Sequence, residues 1–451
     1  MPSSDQEEFE LAPLQERAAA LVEAAKQAGA DAADAVVAAS RSTGVEVREG
    51  KVEETESAEN NAFALRVFIG KRAASVSANM TGDPFALAER AVAMAKVAPE
   101  DPHNGLADED KLSKNFPDLD LYDSTNPEFD TMRDIALACE EAALSIEGVT
   151  KSSGASFARG LGGTVLATSN GFLGSYRASR FSLSVSAVAG EGENMERDYD
   201  YDSMRFMSDL RGANEIGLEA GKRAVKRLNP KQVKTQTATV IFDPRVARGL
   251  VGHLSGAING ASIARKTSFL RDDMGAKIFA PNVTIVDEPH IIRGAASRPF
   301  DAEGVASERL NLVENGILKT WLLDTGTAKE LNLTTNGRAN RAGSGTSPGS
   351  TNLTMLAGKR TPEDMIRNLK NGFYVTDLIG QGVNLLTGDY SRGASGFWIE
   401  NGELTYTVSE VTIAGKLRDM FAKLIPASDL EIRFGINSPT IAIEGMTIAG
   451  Q

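Results

Sequence analysis

Residues Phe181 to Ala187 alternate strictly. Phe181, Leu183, Val185 and Ala187 are apolar, and Ser182, Ser184 and Ser186 separate them. Successive side chains of a strand point to opposite faces, so a period of two specifies a sheet with one buried face and one polar face. A buried sheet face must be covered, and helical stretches flank this one. Phe129–Ser145 precedes it, strands run from Ser153 to Ala189 with a hairpin turn at Asn170-Gly171, and Leu210–Leu228 follows, ended by Asn229-Pro230.

A similar unit lies upstream. Pro13–Ala28 reads as an amphipathic helix closed by Gly29. Ala35–Ala39, Gly44–Arg48, Lys51–Ser57 and Ala62–Ile69 read as strands punctuated by Gly50 and Asn60-Asn61. Asp83-Pro84 then caps a helix to about Val97. Helix–strands–helix therefore occurs twice, without residue-level identity between the copies. Residues 98–128, with four prolines, read as a linker or long surface loop that holds His103 in a turn.

Downstream, Thr237–Phe242 reads as a strand, and Asp243-Pro244 caps a helix running to about Ala264. After Pro281 the chain is mostly strand and turn, with hairpins at Asn315-Gly316 and Asn401-Gly402 and one short helix, Pro362–Asn371. The expected fold is α+β. Residues 1–235 form an N-terminal α+β domain of two helix–strands–helix units, and residues 236–451 form a β-rich, mostly antiparallel domain.

Composition narrows the partners. The 451 residues carry a net charge of −13. This opposes nucleic-acid binding, whose affinity comes largely from basic groups on phosphates. The basic stretch Lys222–Lys234 reads as a solvated helix face. The start, MPSSDQEEFELAP, lacks the basic and apolar regions of a signal peptide. No run of ~18 apolar residues offers a membrane span. A single cysteine excludes an intrachain disulfide and fits a reducing, cytoplasmic compartment. Cys139, in a helical pattern, reads as a small buried hydrophobe.

Metal chemistry is constrained further. His103, His253, His290 and Cys139 are the only His and Cys residues, and no two lie within five positions. A zinc site needs three or four ligands, so no local His/Cys metal motif exists. There is no G-x-G-x-x-G at a strand–helix junction and no G-x-S-x-G elbow. Gly217–Lys222 lacks phosphate-loop spacing, and Gly343–Ser350 reads as a mobile loop. His253 belongs to the apolar stripe Leu250, His253, Leu254, Ala257, Ile258 and reads as a core or interface histidine with its hydrogen bond satisfied. Asp287, Glu288 and His290 are a candidate cation cluster, though a turn with solvated charges is preferred.

Several segments resemble the TldD/PmbA family, and more closely its PmbA (TldE) branch. Ser391–Gly402 (SRGASGFWIENG) resembles the branch's Gly-rich hairpin, Thr412–Leu417 its continuation, and Ser438-Pro439-Thr440 through Glu444–Gly450 its C-terminal ending. Arg265–Leu270 and Asp301, Glu303 and Gly304 match inner motifs. Arg265, Lys266, Arg392, Gly393 and Glu400 are the family-motif residues singled out. In the TldD branch the helix before the Arg-Lys pair carries His-Glu-x-x-x-His, two metal ligands and a general base, with a C-terminal cysteine as third ligand. The corresponding positions here are Gly252, His253, Leu254, Ser255, Gly256 and Ala257, and the C-terminal half has no cysteine. Both ligand positions, Gly252 and Ala257, are degenerate, and His253, the one catalytic candidate, stands where the glutamate would be.

The resemblance implies a subunit without a metal of its own. A TldD-like partner would bind a divalent metal, zinc by expectation, in a cytosolic heterodimer. The assembly would cut unfolded or peptide substrates, including maturing peptide antibiotics, with no nucleic-acid or membrane partner. A homodimer of this chain is the other assembly open. The rival readings are an autonomous peptidase built on Asp287, Glu288 and His290, and a binding protein modulating DNA gyrase or a toxin–antitoxin system.

Overall fold

The computed structural model describes residues 9–79, 82–342 and 345–450. Most of the acidic start read for a leader, and the tip of the Gly/Ser loop at 343–344, fall outside them.

The N-terminal part comprises α1 (Ala12–Gln27), β1 (Ala32–Arg48), β2 (Lys51–Ile69), β3 (Arg72–Asn79), α2 (Pro84–Val97), α3 (Phe129–Leu144), β4 (Val149–Thr168), β5 (Leu173–Ala189), β6 (Glu196–Met204) and α4 (Ala213–Lys226). Its strands form one antiparallel sheet in the order β3-β2-β1-β4-β5-β6. The two helix–strands–helix units thus join along the β1–β4 seam. All four helices cover one face. Ala33, Ala35, Val37 and Ala39 of β1 pack with α1 and α2, and Val45 and Val47, on the same face, pack with α3 and α4. The alternation in β5 does what its period requires: Phe181, Leu183, Val185 and Ala187 are all buried with α3 and α4. These two helices approach closely. A Cβ on Gly217 would lie 2.2 Å from the Cys139 carbonyl oxygen, and one on Gly221 2.7 Å from that of Ala143. The glycines of Gly217–Lys222 are therefore packing residues. Cys139 is fully buried, and burial pushes its thiol up to about 12.

Four expected strands are two. Asn60 and Asn61 do not break the chain; they pair with Ser40 and Ala39 inside the long β1–β2 hairpin. Its turn at Glu49-Gly50 is held by the buried Glu140 of α3, whose two carboxylate oxygens each accept a backbone N–H at 2.9 Å. Cross-strand pairing and this anchor override the turn preference of the asparagines. Residues 51–61 are all exposed, and β3 pairs only with Ala62–Ile69. The free edge carries Glu53, Glu54, Glu56 and Glu59, charges that discourage edge-to-edge association. Strands β3 and β6 were not anticipated. The segment 98–128 has no strand or α-helix, but it is no free linker: Leu119 and Leu121 are buried and Ser113 N–H bonds the Gly304 carbonyl at 2.8 Å.

The C-terminal part comprises β7 (Gln236–Phe242), α5 (Pro244–Ala257), α6 (Gly260–Ala264), β8 (Ile285–Glu288), β9 (Leu310–Glu314), β10 (Ile317–Leu318), α7 (Thr325–Glu330), β11 (Ala339–Ala342), β12 (Gly345–Pro348), β13 (Asn352–Met355), α8 (Pro362–Arg367), β14 (Asn371–Ile379), β15 (Val383–Asn384), β16 (Asp389–Glu400), β17 (Glu403–Lys416), α9 (Leu417–Lys423), β18 (Leu424–Pro426), β19 (Ile436–Asn437) and β20 (Ile441–Ala449). Strands β7, β14, β16, β17 and β20 pair in a closed ring. Its inside is apolar, with Val240, Phe242, Phe373, Val375, Trp398, Ile413 and Ile443 in one core. The outward Ile241, Ile399 and Ala442 pack instead with Met365 of α8. Pairing is antiparallel except at β14–β7 and β13–β19.

Three expectations here need correction. The helix from Asp243 stops at Ala257, because Asn259 turns its side chain onto Ala261 N–H and starts α6 afresh. The helix at Pro362 ends at Arg367, since 371 onward is recruited into the barrel as β14. The Gly/Ser loop contributes β12, paired with β11.

Candidate functional site

Helix α5 starts where Asp243 accepts from Arg245 N–H, and it packs on the barrel through Leu250, Val251, Leu254 and Ala257. His253 lies at the margin of this stripe, half-buried rather than in the core. An aromatic contact orients its ring, edge-on to Tyr390 with centroids 6.1 Å apart. Burial, and then the charge of Arg392, hold its pKa below 6.5, so the imidazole is neutral at pH 7. The Tyr390 hydroxyl is buried with no hydrogen-bond partner among the described residues, and burial raises its pKa.

The two degenerate positions face apart. Residues five apart on a regular helix differ by ~140°. Ala257 is fully buried and its carbonyl accepts from Ser268 Oγ at 2.6 Å, whereas a Cβ on Gly252 would face Ile436 at 3.7 Å. Neither residue offers a ligating side-chain atom.

Not all the family-motif residues gather around His253, although Arg392 lies close enough for its charge to act on it. Arg392, on β16 two residues beyond Tyr390, donates to the Leu378 and Ile379 carbonyls at 3.3 Å. Gly393 pairs with Ile379 and Thr412 in the barrel wall. Glu400 ends the same strand, exposed, roughly 25 Å along the chain from Arg392. Arg265 and Lys266 are exposed on the turn after α6, where Lys266 adopts a φ of 58°.

Asp287, Glu288 and His290 do not form a cation site. Asp287 points into the core, where it pairs with Arg338, and Glu288 Oε1 accepts from the His290 backbone N–H. Among the described residues no group of three or more His, Cys, Asp or Glu side chains is placed to hold a metal ion. His290 is held below its ordinary pKa, chiefly by burial. His103 lies in the turn read for it, its N–H bonded to Asp101.

Two charged clusters escaped the sequence reading. On β6, Asp198, Asp200 and Asp202 are buried and bound to Arg245 at 2.9 Å, Arg211 and Arg223 at 2.9 and 2.8 Å, and Arg433 at 2.6 Å. Arg223 and Arg227 of the basic stretch therefore belong to an ionic seam, and only its lysines are solvated. The alternation Asp-Tyr-Asp-Tyr-Asp was the available signal, hidden because charges occupy its inward positions.

The second cluster joins the uncovered face of the N-terminal sheet to the C-terminal part. Asp34 accepts from Arg66 at 2.5 Å and from Arg341 of β11 at 2.5 Å. Burial opposes its ionisation, but the two guanidiniums hold its pKa below 3.8. Arg66 also approaches Glu303 at 3.7 Å, and Glu303 accepts from Thr325 N–H at 2.8 Å. Burial, reinforced by Asp301 and Asp324 and opposed by Arg66, pushes Glu303 up to about 7. A carboxyl raised above its ordinary 4.5 stabilises the fold fully below that value, and the contribution is lost as pH rises through about 7. Glu303→Gln removes this titration. The variant is expected to match the parent near pH 5 and to gain on it by pH 8, by on the order of 2 kcal/mol. Denaturant unfolding at the two pH values measures this, and an unchanged pH slope would show that Glu303 titrates normally.

Comparison with known proteins places this architecture. Family models described as PmbA/TldA metallopeptidase domain 1, central domain and C-terminal domain match residues 33–95, 122–228 and 235–450. The metalloprotease PmbA of Escherichia coli O157:H7 is 40% identical over 92% of both chains. A PmbA homologue of Haemophilus influenzae is 38% identical over 95% of this chain and 94% of its own. A Bacteroides thetaiotaomicron crystal structure, described as a candidate modulator of DNA gyrase, superposes with a TM-score of 0.89 at 29% identity, covering 98% of this chain and 99% of that one. TldE from Thermococcus kodakarensis shares the fold, with a TM-score of 0.84 at 20% identity over 96% of this chain and all of its own. Matched by three family models in succession and by close relatives along its length, the chain belongs to the PmbA/TldA metallopeptidase family.

Proposed function

We propose that this chain is the metal-free subunit of a two-chain cytosolic peptidase that acts on unfolded chains or peptides, its partner being a TldD-like relative that carries the metal. One observation carries the reading. Helix α5 keeps its cap, its packing and its place on the barrel, yet the two motif positions that must supply ligands are Gly252 and Ala257. Retaining the helix without its ligands fits a chain whose remaining task is to shape an interface or a substrate path. The nearness to the metalloprotease PmbA supports the peptidase part of the reading, and the fold is shared with TldE. If the partner subunit is supplied, its metal would furnish the activated water. In this chain the half-buried, neutral His253 would border the path.

Elemental analysis after chelator-free purification tests the first half of the proposal. Well below one zinc or iron per chain is expected. About one metal per chain, lost in His253→Ala or His290→Ala, would overturn it. The gyrase description of the Bacteroides protein offers a second reading. A net charge of −13 speaks against direct DNA contact in that role.

A further inference from the structure

A cavity of about 960 Å³ opens where α4 and β6 meet α8 and the outer wall of the barrel. His253 is not among its walls. Its floor is ionic, and each of its guanidiniums is paired with a carboxylate. Arg245 binds Asp198 at 2.9 Å, Arg223 binds Glu219 at 2.8 Å, and the Tyr374 hydroxyl donates to Asp243 at 3.1 Å. One wall is apolar, formed by Ile366, Phe397, Leu404 and Tyr406, with Leu404 45% exposed. What is left unpaired is net positive, two lysines against one glutamate. Lys226 and Lys231 line the cavity, are exposed, and have no carboxylate partner among the described residues, and Lys231 Nζ sits 4.8 Å from the Tyr406 ring centroid. Arg367 is bound to Asp364 at 2.9 Å, and Glu363 is the single wall acid outside a pair.

We infer that this cavity binds an organic carboxylate bearing an apolar side chain, either a small free acid or the C-terminal residue of a peptide. The volume suits a ligand of that size. Two free ammoniums, one of them beside the Tyr406 ring, complement one carboxylate, and partial enclosure strengthens that pairing relative to open water. The apolar wall takes the side chain. A polyphosphate or nucleic acid is disfavoured, because every guanidinium at the floor already has its carboxylate. The inference stands on the cavity alone and does not require the peptidase reading.

Isothermal titration of the full chain with N-acetylphenylalanine, its amide, and a pentapeptide ending in phenylalanine with free or amidated C-terminus tests it. Saturable binding of the free acids is expected, with the amides at least tenfold weaker. Tighter binding of the peptide assigns the site to chain ends, and binding of N-acetylphenylalanine alone assigns it to small acids. N-acetylglycine, which lacks the side chain, should bind more weakly than N-acetylphenylalanine. The double variant Lys226→Gln/Lys231→Gln changes only exposed side chains, and an unchanged melting temperature confirms its fold. It should lose roughly tenfold in affinity for the acids, as should the parent chain when salt is raised. Acid and amide binding alike, an unaffected double variant, or no saturable binding of any free acid would overturn the inference.

Discussion

Incubated alone with an unfolded peptide, this chain should leave it intact. Mixed with a relative carrying the full His-Glu-x-x-x-His helix, it should yield cleavage that a chelator abolishes. The size of the expected change follows from the chemistry each chain can offer. Enzymes accelerate such hydrolyses by ~10⁶-fold or more. A metal that activates water and polarises the carbonyl supplies a large share of this, whereas a lone general base contributes about 10²–10⁴-fold. His253 is the best base this chain has near α5. It is neutral at pH 7, but it touches Tyr390 and, among the described residues, no carboxylate that would orient it. The difference between single chain and mixture should therefore be all-or-none. The assay is cleavage of a fluorogenic unfolded peptide by each chain alone and by the mixture, with and without chelator. Turnover by this chain alone at the rate of the mixture would refute the partner-subunit proposal. If His253→Ala silences the mixture while the two chains still assemble, His253 has a chemical role of its own.

Legibility in the sequence followed local physics. The β5 alternation announced its buried face because apolar side chains occupy every inward position. The cap at Asp243-Pro244 announced α5 because the signal lies within three residues. The end of α5 is not legible in the sequence, since the apolar stripe continues through Ile258 and Ile263 while Asn259 restarts the helix. Strand β6 stayed hidden because its inward residues are aspartates, which acquire their meaning only from arginines on α4 and just before it, on α5 and in the segment before β19. The same holds for Asp34, Arg66 and Arg341, partners separated by up to 307 positions. The degenerate motif on α5 was visible residue by residue. That Gly252 and Ala257 face different surroundings required the helix in place.

Asp287 illustrates the largest reversal and carries the largest expected stability effect. In sequence it sat in an acidic turn beside His290. In the fold it and Arg338 are both fully buried. Every N–H of the Arg338 guanidinium has an acceptor. Nε reaches Asp287 Oδ2, Nη1 the Asn336 and Gly337 carbonyls, and Nη2 the Asp287 and Glu308 carbonyls. Asp287 in turn accepts from Thr351 through N–H at 2.7 Å and Oγ1 at 2.9 Å. Burial disfavours the charged guanidinium, and its pKa is lowered even with Asp287 beside it, but an arginine stays protonated. Removing one partner leaves the other charged in a dry core, which costs about 3–5 kcal/mol. Arg338→Met should lose about that much. Arg338→Lys keeps the charge, but an ammonium has three donors against five and no planar fork, so it should rescue only part. Asp287→Asn combined with Arg338→Met removes both charges and should be less destabilised than Arg338→Met alone. Both tryptophans, Trp321 and Trp398, lie in the C-terminal part, so their fluorescence reports its unfolding in denaturant. A loss below about 1 kcal/mol in Arg338→Met would mean that water reaches the pair and that the buried network is not what holds β8 to the β11–β13 segment.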